Sequence, residues 1–322
     1  MKIQWKFSMV PLLLAAATAA PAAQLSTDAR GAIPHDVQQL VVIDYRAMEN
    51  SPTAMDLRAR VMPPELKVFD EALRKSALGD KNNIDQYVDQ LAFALFRPTP
   101  GSEGLLTVGI AQGQFPTTDI LANFKKSGLK GTLVRTNRIY PMAKTGMVLC
   151  FVDASTMVFG AKDAVQKALD AHDGVDANIL TNNSMMDAMR TIDSASLWSI
   201  LDEKGTQTMM KQVLGEAGAG SVTDFDTVKK RLQTSWYGMD FAHGVHFDLT
   251  IATGDTFAAA TISSLLTAAV MVRKMSGSEA EKQALSDTAI ASSAGKMSIH
   301  FAASDSDFSS LLHSPLFQSM VR

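Results

Sequence analysis

Two histidines stand close together in His243-Gly244-Val245-His246, the one close imidazole pair in the chain. Across a two-residue turn they would face each other and offer a metal two nitrogens, half of a tetrahedral ligand set. The surrounding alternation favours another register. A three-residue connection over His243 to Val245 pairs Phe241 with Phe247 and Met239 with Leu249 on one face. His243 is then a turn tip, His246 shares the opposite face with Asp248, and the pair reads as a solvated hairpin end with no third ligand in view.

Other reactive patterns fail on their setting. Ser127-Gly128-Leu129-Lys130 and Ser293-Ala294-Gly295-Lys296 match S-x-x-K, and Lys144-Thr145-Gly146 matches K-T-G, the signature set of exported penicillin-recognising serine enzymes. That chemistry needs the serine to open a buried helix, so that the lysine one turn on reaches its hydroxyl. Both serines here are expected to close helices, with a glycine within two residues. Lys144-Thr145-Gly146 reads as a hairpin turn. The chain contains no G-x-S-x-G elbow, no phosphate loop of the G-x-x-x-x-G-K-[ST] type and no H-E-x-x-H zinc helix. Gly215 to Gly220 is glycine-rich, but no strand feeds it, so it reads as a connection and not a dinucleotide cradle. The sequence points to no cofactor and no catalytic residue.

Sulfur is abundant but placed for packing. Met185, Met186 and Met189 share one short helix, and Met209 and Met210 another; thioethers bind Cu(I), yet without neighbouring histidines they are expected to fill a core. Cys150, the single cysteine, sits in the apolar run Met147 to Val152, which predicts a buried strand and an inert thiol. Trp198 and Trp236 also fall in predicted strands, where they read as sheet anchors.

The elements that must carry these residues follow from periodicity and caps. Leu40 to Tyr45 reads as a strand, and Ser51-Pro52 as a helix start. A helix is expected over Pro64 to Lys75. Strands follow over Leu91 to Phe96 and Leu105 to Phe115, then a helix from Thr117 that leaves at Gly128, then strands Thr132 to Tyr140, Met147 to Val152 and Thr156 to Gly160, and a helix from Ala161 to His172. The order then recurs in shorter form. Strand Leu197 to Leu201 is followed by helices over Thr206 to Leu214 and Asp224 to Leu232 and by strands Trp236 to Phe241 and His246 to Ile251. Next come an uncharged helix from Thr256, a capping box at Ser278 and Glu281, and a strand from Met297 to Phe301. The expected fold class is α+β, mainly antiparallel sheets with helices packed on one face, in two similar halves, 23–195 and 196–322, that suggest a degenerate duplication. Thr256 to Val272 carries no charge and is 17 residues long, at the short limit for a membrane span. Its hydroxyls gather toward one side, so it is expected to be a core helix between layers, leaving no stable transmembrane segment in the mature chain.

Composition sets the outer bounds. Over 322 residues, 30 basic side chains against 33 acidic ones give −3, which excludes the strong basic excess of a nucleic-acid binder. With 46% hydrophobic and 20% charged residues the chain is globular, and one cysteine excludes a disulfide scaffold. Lys2 and Lys6, the apolar stretch Phe7 to Ala17 and the small residues after it form the three regions of a signal peptide over residues 1–22, cut near Ala19 to Ala22. The mature protein is expected to be periplasmic or secreted.

Ile33-Pro34-His35-Asp36-Val37 leading into Val41-Val42-Ile43-Asp44, then Asn50-Ser51-Pro52 and Pro63-Pro64-Glu65-Leu66, resembles a group of uncharacterised exported bacterial α+β proteins with a signal peptide and a large body. Val152 to Gly160 resembles the hairpin those proteins place before a helix. The resemblance implies a fold and an exported location, and transfers no functional residue. The leading expectation is a non-catalytic binding or scaffolding protein with an unknown partner in the envelope or outside the cell. Two alternatives stand beside it: a carrier of an apolar ligand, and a hydrolase whose dispersed site does not show in sequence.

Overall fold

Val37–Asp44 forms strand β1 at the centre of a twelve-stranded antiparallel sheet. The computed structural model describes residues 24–49, 51–61, 87–99, 101–102, 104–142, 146–216 and 228–314. The signal peptide expected over 1–22, the helix expected over 64–75, Lys144-Thr145 and most of the 215–220 glycine run lie outside them. On one flank β1 pairs with β2, Val88–Phe96, and on the other with β8, Leu197–Leu201, so that Val42 stands opposite both Ala92 and Trp198. Every residue of β8 is buried, the near-continuous apolar pattern of a strand covered on both faces.

From this centre the sheet grows outward in two series. One continues from β2 through β3, Leu106–Gly113, then β7, Thr156–Ala161, β6, Met147–Phe151, β5, Asn137–Pro141, and β4, Thr132–Val134. The other continues from β8 through β9, Leu232–Asp240, then β10, Val245–Thr253, β12, Lys296–Ala303, and β11, Thr288–Ser293. Each series is a three-strand meander followed by helix and then by further strands that join beside the third with the last strand innermost, four strands (β4 to β7) in the first series and two (β11 and β12) in the second.

The α+β antiparallel architecture matches the sequence expectation, but the sheets are one sheet and the helices flank both faces. Leu40, Val42, Cys150, Trp198 and Ile200 point to the first face, covered by α1, Thr27–Gly31, α5, Lys162–His172, and α6, Asn183–Ile192. Met185, Met186 and Met189 of α6 are buried there, filling core as expected of thioethers. The second face carries α2, Tyr45–Glu49, α3, Pro52–Val61, α4, Thr117–Lys126, α7, Glu203–Glu216, and α8, Thr256–Ser276, with α9, Glu279–Ser286, leading toward α10, Asp305–Leu312. After β7 the chain turns to the first face, but after β12 it turns to the second. Among the described residues the first face beyond β9 is left open, and His246, Asp248, His300 and Ala302 are exposed on it.

Local differences from the sequence reading have local causes. The strand expected over 132–140 is a hairpin, broken where Arg135 takes a left-handed conformation at φ 54° and pairs with Asp170 at 2.9 Å. Ser293 closes a strand, not a helix: Ala294 and Gly295, both at positive φ, make the two-residue turn between β11 and β12. Leu232, expected to end a helix, opens β9, and the first four residues of that expected helix, 224–227, lie outside the described residues. The strand β11 and the helix α10 were not expected at all.

Candidate functional site

The two histidines of the β9–β10 connection are not brought together into a site. His243 lies in the turn and His246 on β10, as the hydrophobic register implies, although that register is displaced by two residues: Phe247 pairs with Met239, Leu249 with Tyr237 and His246 with Asp240. Because the displacement is even, each side chain keeps its expected face. Asp248 is hydrogen-bonded to His300 of the neighbouring strand β12 on that open face, an exposed cross-strand pair and not a ligand set. Among the described residues no three histidine, cysteine or acidic side chains converge as a metal site would require.

Cys150 is fully buried in β6. Burial first, and the negative charge of Asp173 second, push its thiol up to about 11, so it is not a nucleophile at neutral pH.

The feature with an unspent surface is α8. Its start is fixed three ways: Asp255 accepts from the Ala258 N–H at 2.8 Å, Arg231 pairs with Asp255, and the Thr253 hydroxyl donates to the Gly295 carbonyl at 2.8 Å, tying the helix to the β11–β12 turn. The Ala258 N–H, aided by Arg231, holds the Asp255 carboxyl below the usual carboxylate range. At the other end the Gly277 N–H bonds the Arg273 carbonyl at 2.7 Å, and the Ser278–Glu281 capping box opens α9 at once. Glu281, itself buried, also lies 3.7 Å from Arg273.

Between these clamps the helix buries one stripe only. Ala258, Ile262, Leu266 and Ala269 are buried, and Ile262 and Leu266 pack with Leu249, Ile251 and Met297 against the sheet and with Met210 and Leu214 of α7. The opposite stripe, at the same spacing of three and four, runs Phe257, Ala260, Ser264, Ala268, Met271, Val272 and Met275, and all seven are exposed. The large ones are strongly so: Phe257 73%, Met271 62%, Val272 51% and Met275 79%. This corrects the expectation of a helix buried between layers. The hydroxyls do not mark a wetted face either. Thr261 donates to the Phe257 carbonyl and Thr267 to the Ser263 carbonyl, both at 2.8 Å, so their donors are satisfied within the helix. What remains is a largely apolar surface, interrupted by Ser264, with no acidic residue and with Arg273 and Lys274 at one end. The signal was present in the sequence as the missing Lys or Glu at the outward positions of a 21-residue helix.

No family model matches the chain, and no curated protein matches it. Solved structures of TP0453, a Treponema protein, do resemble it. One crystal form aligns over 91% of this chain and 99% of that one with a TM-score of 0.52 at 11% identity; another covers 92% and 99% with a TM-score of 0.47 at 12% identity. At that identity the likeness speaks for the fold alone.

Proposed function

We propose that this chain is an exported, non-catalytic binding protein of the cell envelope, and that it attaches peripherally to a membrane surface through the outward face of α8. The observation that carries the reading is the uncharged stripe from Phe257 to Met275, exposed on a helix whose other stripe is already committed to the core. Docking a few such side chains into the interfacial layer releases about 1.5–3 kcal/mol for each one fully buried, enough for reversible attachment. Arg273 and Lys274 fit anionic headgroups at the end of the stripe. Spanning the bilayer would require Ile262 and Leu266 to leave their packing, so the helix lies on the membrane and does not cross it. The mirrored strand orders further support reading the chain as a degenerate duplication in which one half acquired this surface.

A second occupant is favoured by one specific observation. Phe257, Ala260, Ser264, Ala268 and Met271 are spaced symmetrically about Ser264, so two antiparallel copies of α8 would place Phe257 against Met271 and Asp255 near Arg273.

Flotation of the mature protein with vesicles of phosphatidylglycerol and phosphatidylethanolamine separates the two. The expected result is co-flotation of the wild type, while Phe257→Asp/Met271→Asp stays behind with an unchanged melting temperature. A wild type that does not float, but forms a dimer by light scattering that the double variant splits, overturns the membrane reading in favour of self-association. Equal flotation of both proteins removes α8 from the binding surface.

A further inference from the structure

The other flank of the sheet holds a cleft of about 520 Å³ between the end of α4 and the β4–β5 hairpin, lined by Lys125, Lys130, Arg138, Leu121, Leu129 and Tyr140 among others. Its charge is unusual for this chain. From Ile120 to Val152 the sequence has six lysines and arginines and no aspartate or glutamate, within a protein of net charge −3. Among the described residues no carboxylate lines the cleft or pairs with Lys125, Lys130 or Arg138.

The backbone is built to hold this arrangement. After α4 the Leu129 N–H bonds the Phe124 carbonyl at 2.9 Å and the Gly128 N–H bonds the Lys125 carbonyl at 3.1 Å, with Gly128 at φ 70°. This is a Schellman closure, which satisfies the helix-end carbonyls and swings Lys130 round to face the cleft from the other side. The helix dipole accounts for a cation at Lys125, but not for Lys130 or Arg138, which lie beyond the helix. Gly131 lets the hairpin side chains lie across its own backbone: a Cβ there would come within 2.6 Å of Arg138 Cγ and 2.8 Å of Tyr140 Cε1. The Arg138 guanidinium donates to the Gly131 carbonyl at 3.4 Å, and Tyr140 leans on Phe124 with ring centres 5.0 Å apart.

We propose that this cleft binds an anionic phosphoester. Lys125, Lys130 and Arg138 take the phosphate, with the fork of Arg138 suited to two of its oxygens, while Leu121, Leu129 and Tyr140 receive the apolar remainder. The ligand chemistry is shared by a phospholipid headgroup and by a soluble organic phosphate. The site lies at the opposite end of the sheet from α8 and does not depend on the reading of that helix.

The test uses the mature protein carrying Phe257→Asp/Met271→Asp, so that α8 contributes nothing, and follows the Gly128 and Gly131 amides by NMR. The probes are glycerol 3-phosphate and dihexanoyl phosphatidylglycerol below its micelle concentration. Saturable shifts at both amides, weakened at least tenfold by Lys125→Ala/Lys130→Ala/Arg138→Ala and unchanged by Lys204→Ala/Lys211→Ala on α7, support the site. Tenfold tighter binding of the lipid assigns a headgroup, and equal binding assigns a soluble phosphoester. Absence of shifts up to millimolar probe, or equal binding by the triple variant, overturns the proposal.

Discussion

Helices α4 and α8 occupy matching places: each follows a three-strand meander, packs on the second face of the sheet and leads to strands that join beside the third. Their inward stripes are equivalent, Ile120 and Phe124 in one, Ile262 and Leu266 in the other. Their outward faces are not. Around α4 the exposed positions are Thr118, Asp119, Ala122, Asn123, Lys125 and Lys126, whereas around α8 they are Phe257, Ala260, Ser264, Ala268, Met271, Val272 and Met275, with Thr256 and Ser276 at its two ends. The sheet dictates the inward stripe, because it must be covered. The outward stripe is free of that demand, and it is there that the two helices differ.

Several changes would break or sharpen this contrast. If both inward stripes anchor their helices, Phe124→Ala should cost about 3–5 kcal/mol and Ile262→Ala about 2–5 kcal/mol in urea unfolding. A loss below about 1 kcal/mol for Ile262→Ala would mean that α8 is only loosely seated, and the equivalence would fail. Giving α8 the surface of α4, with Ala260→Lys and Ala268→Glu, should lower vesicle binding at least tenfold while moving stability by no more than about 0.5 kcal/mol. Ser278→Ala removes half of the capping box behind α8 and should cost about 1 kcal/mol, measured by the same unfolding curves.

The smallest effect expected is a pH dependence at the α8 start. Asp255 is held below the usual carboxylate range by the Ala258 N–H and by Arg231, so its contribution is complete above the unfolded carboxylate value and is lost as pH falls through the folded one. Amide exchange at Ala258 should therefore accelerate, relative to the α4 amides, below about pH 4. Removal of that difference by Asp255→Asn would confirm its source. An Asp255→Asn protein that still shows the acid-dependent opening would place it elsewhere.

Much of the architecture could be read from the chain because most elements declare themselves locally. Ser51-Pro52, Ser278 with Glu281, and the alternation through Leu40 to Ile43 each fix an element by neighbours a few residues away. The errors arose where tertiary placement decides. A run such as Thr132 to Tyr140 has strand propensity throughout, and only the left-handed Arg135, held by Asp170 from α5, shows that it folds back. The β11 strand, Thr288–Ser293, has alanines and serines that carry little strand signal, and it exists because β12 pairs with it. The α8 face was misread for a related reason: hydroxyls look polar in a sequence, and only their bonds to the preceding turn reveal that they place no demand on water. The cleft was missed because Lys125 lies in a helix's last turn and Lys130 stands out only as the lysine of an S-x-x-K match, until Arg138 is brought beside them by the hairpin.

The meeting of β1 with β8 has a consequence for how the chain reaches this fold. Leu40 must find Ile200, across almost the whole first half of the protein, before the centre of the sheet is complete. As the polypeptide emerges amino end first, β2 can cover one side of β1 early, but the other side waits until Leu197–Leu201 appears. Folding is thus expected to be slow at this late, long-range step. Until then one edge of an eight-residue strand with the apolar centre Leu40 to Ile43 stays open to strange strands, the interval in which a holding chaperone would matter most.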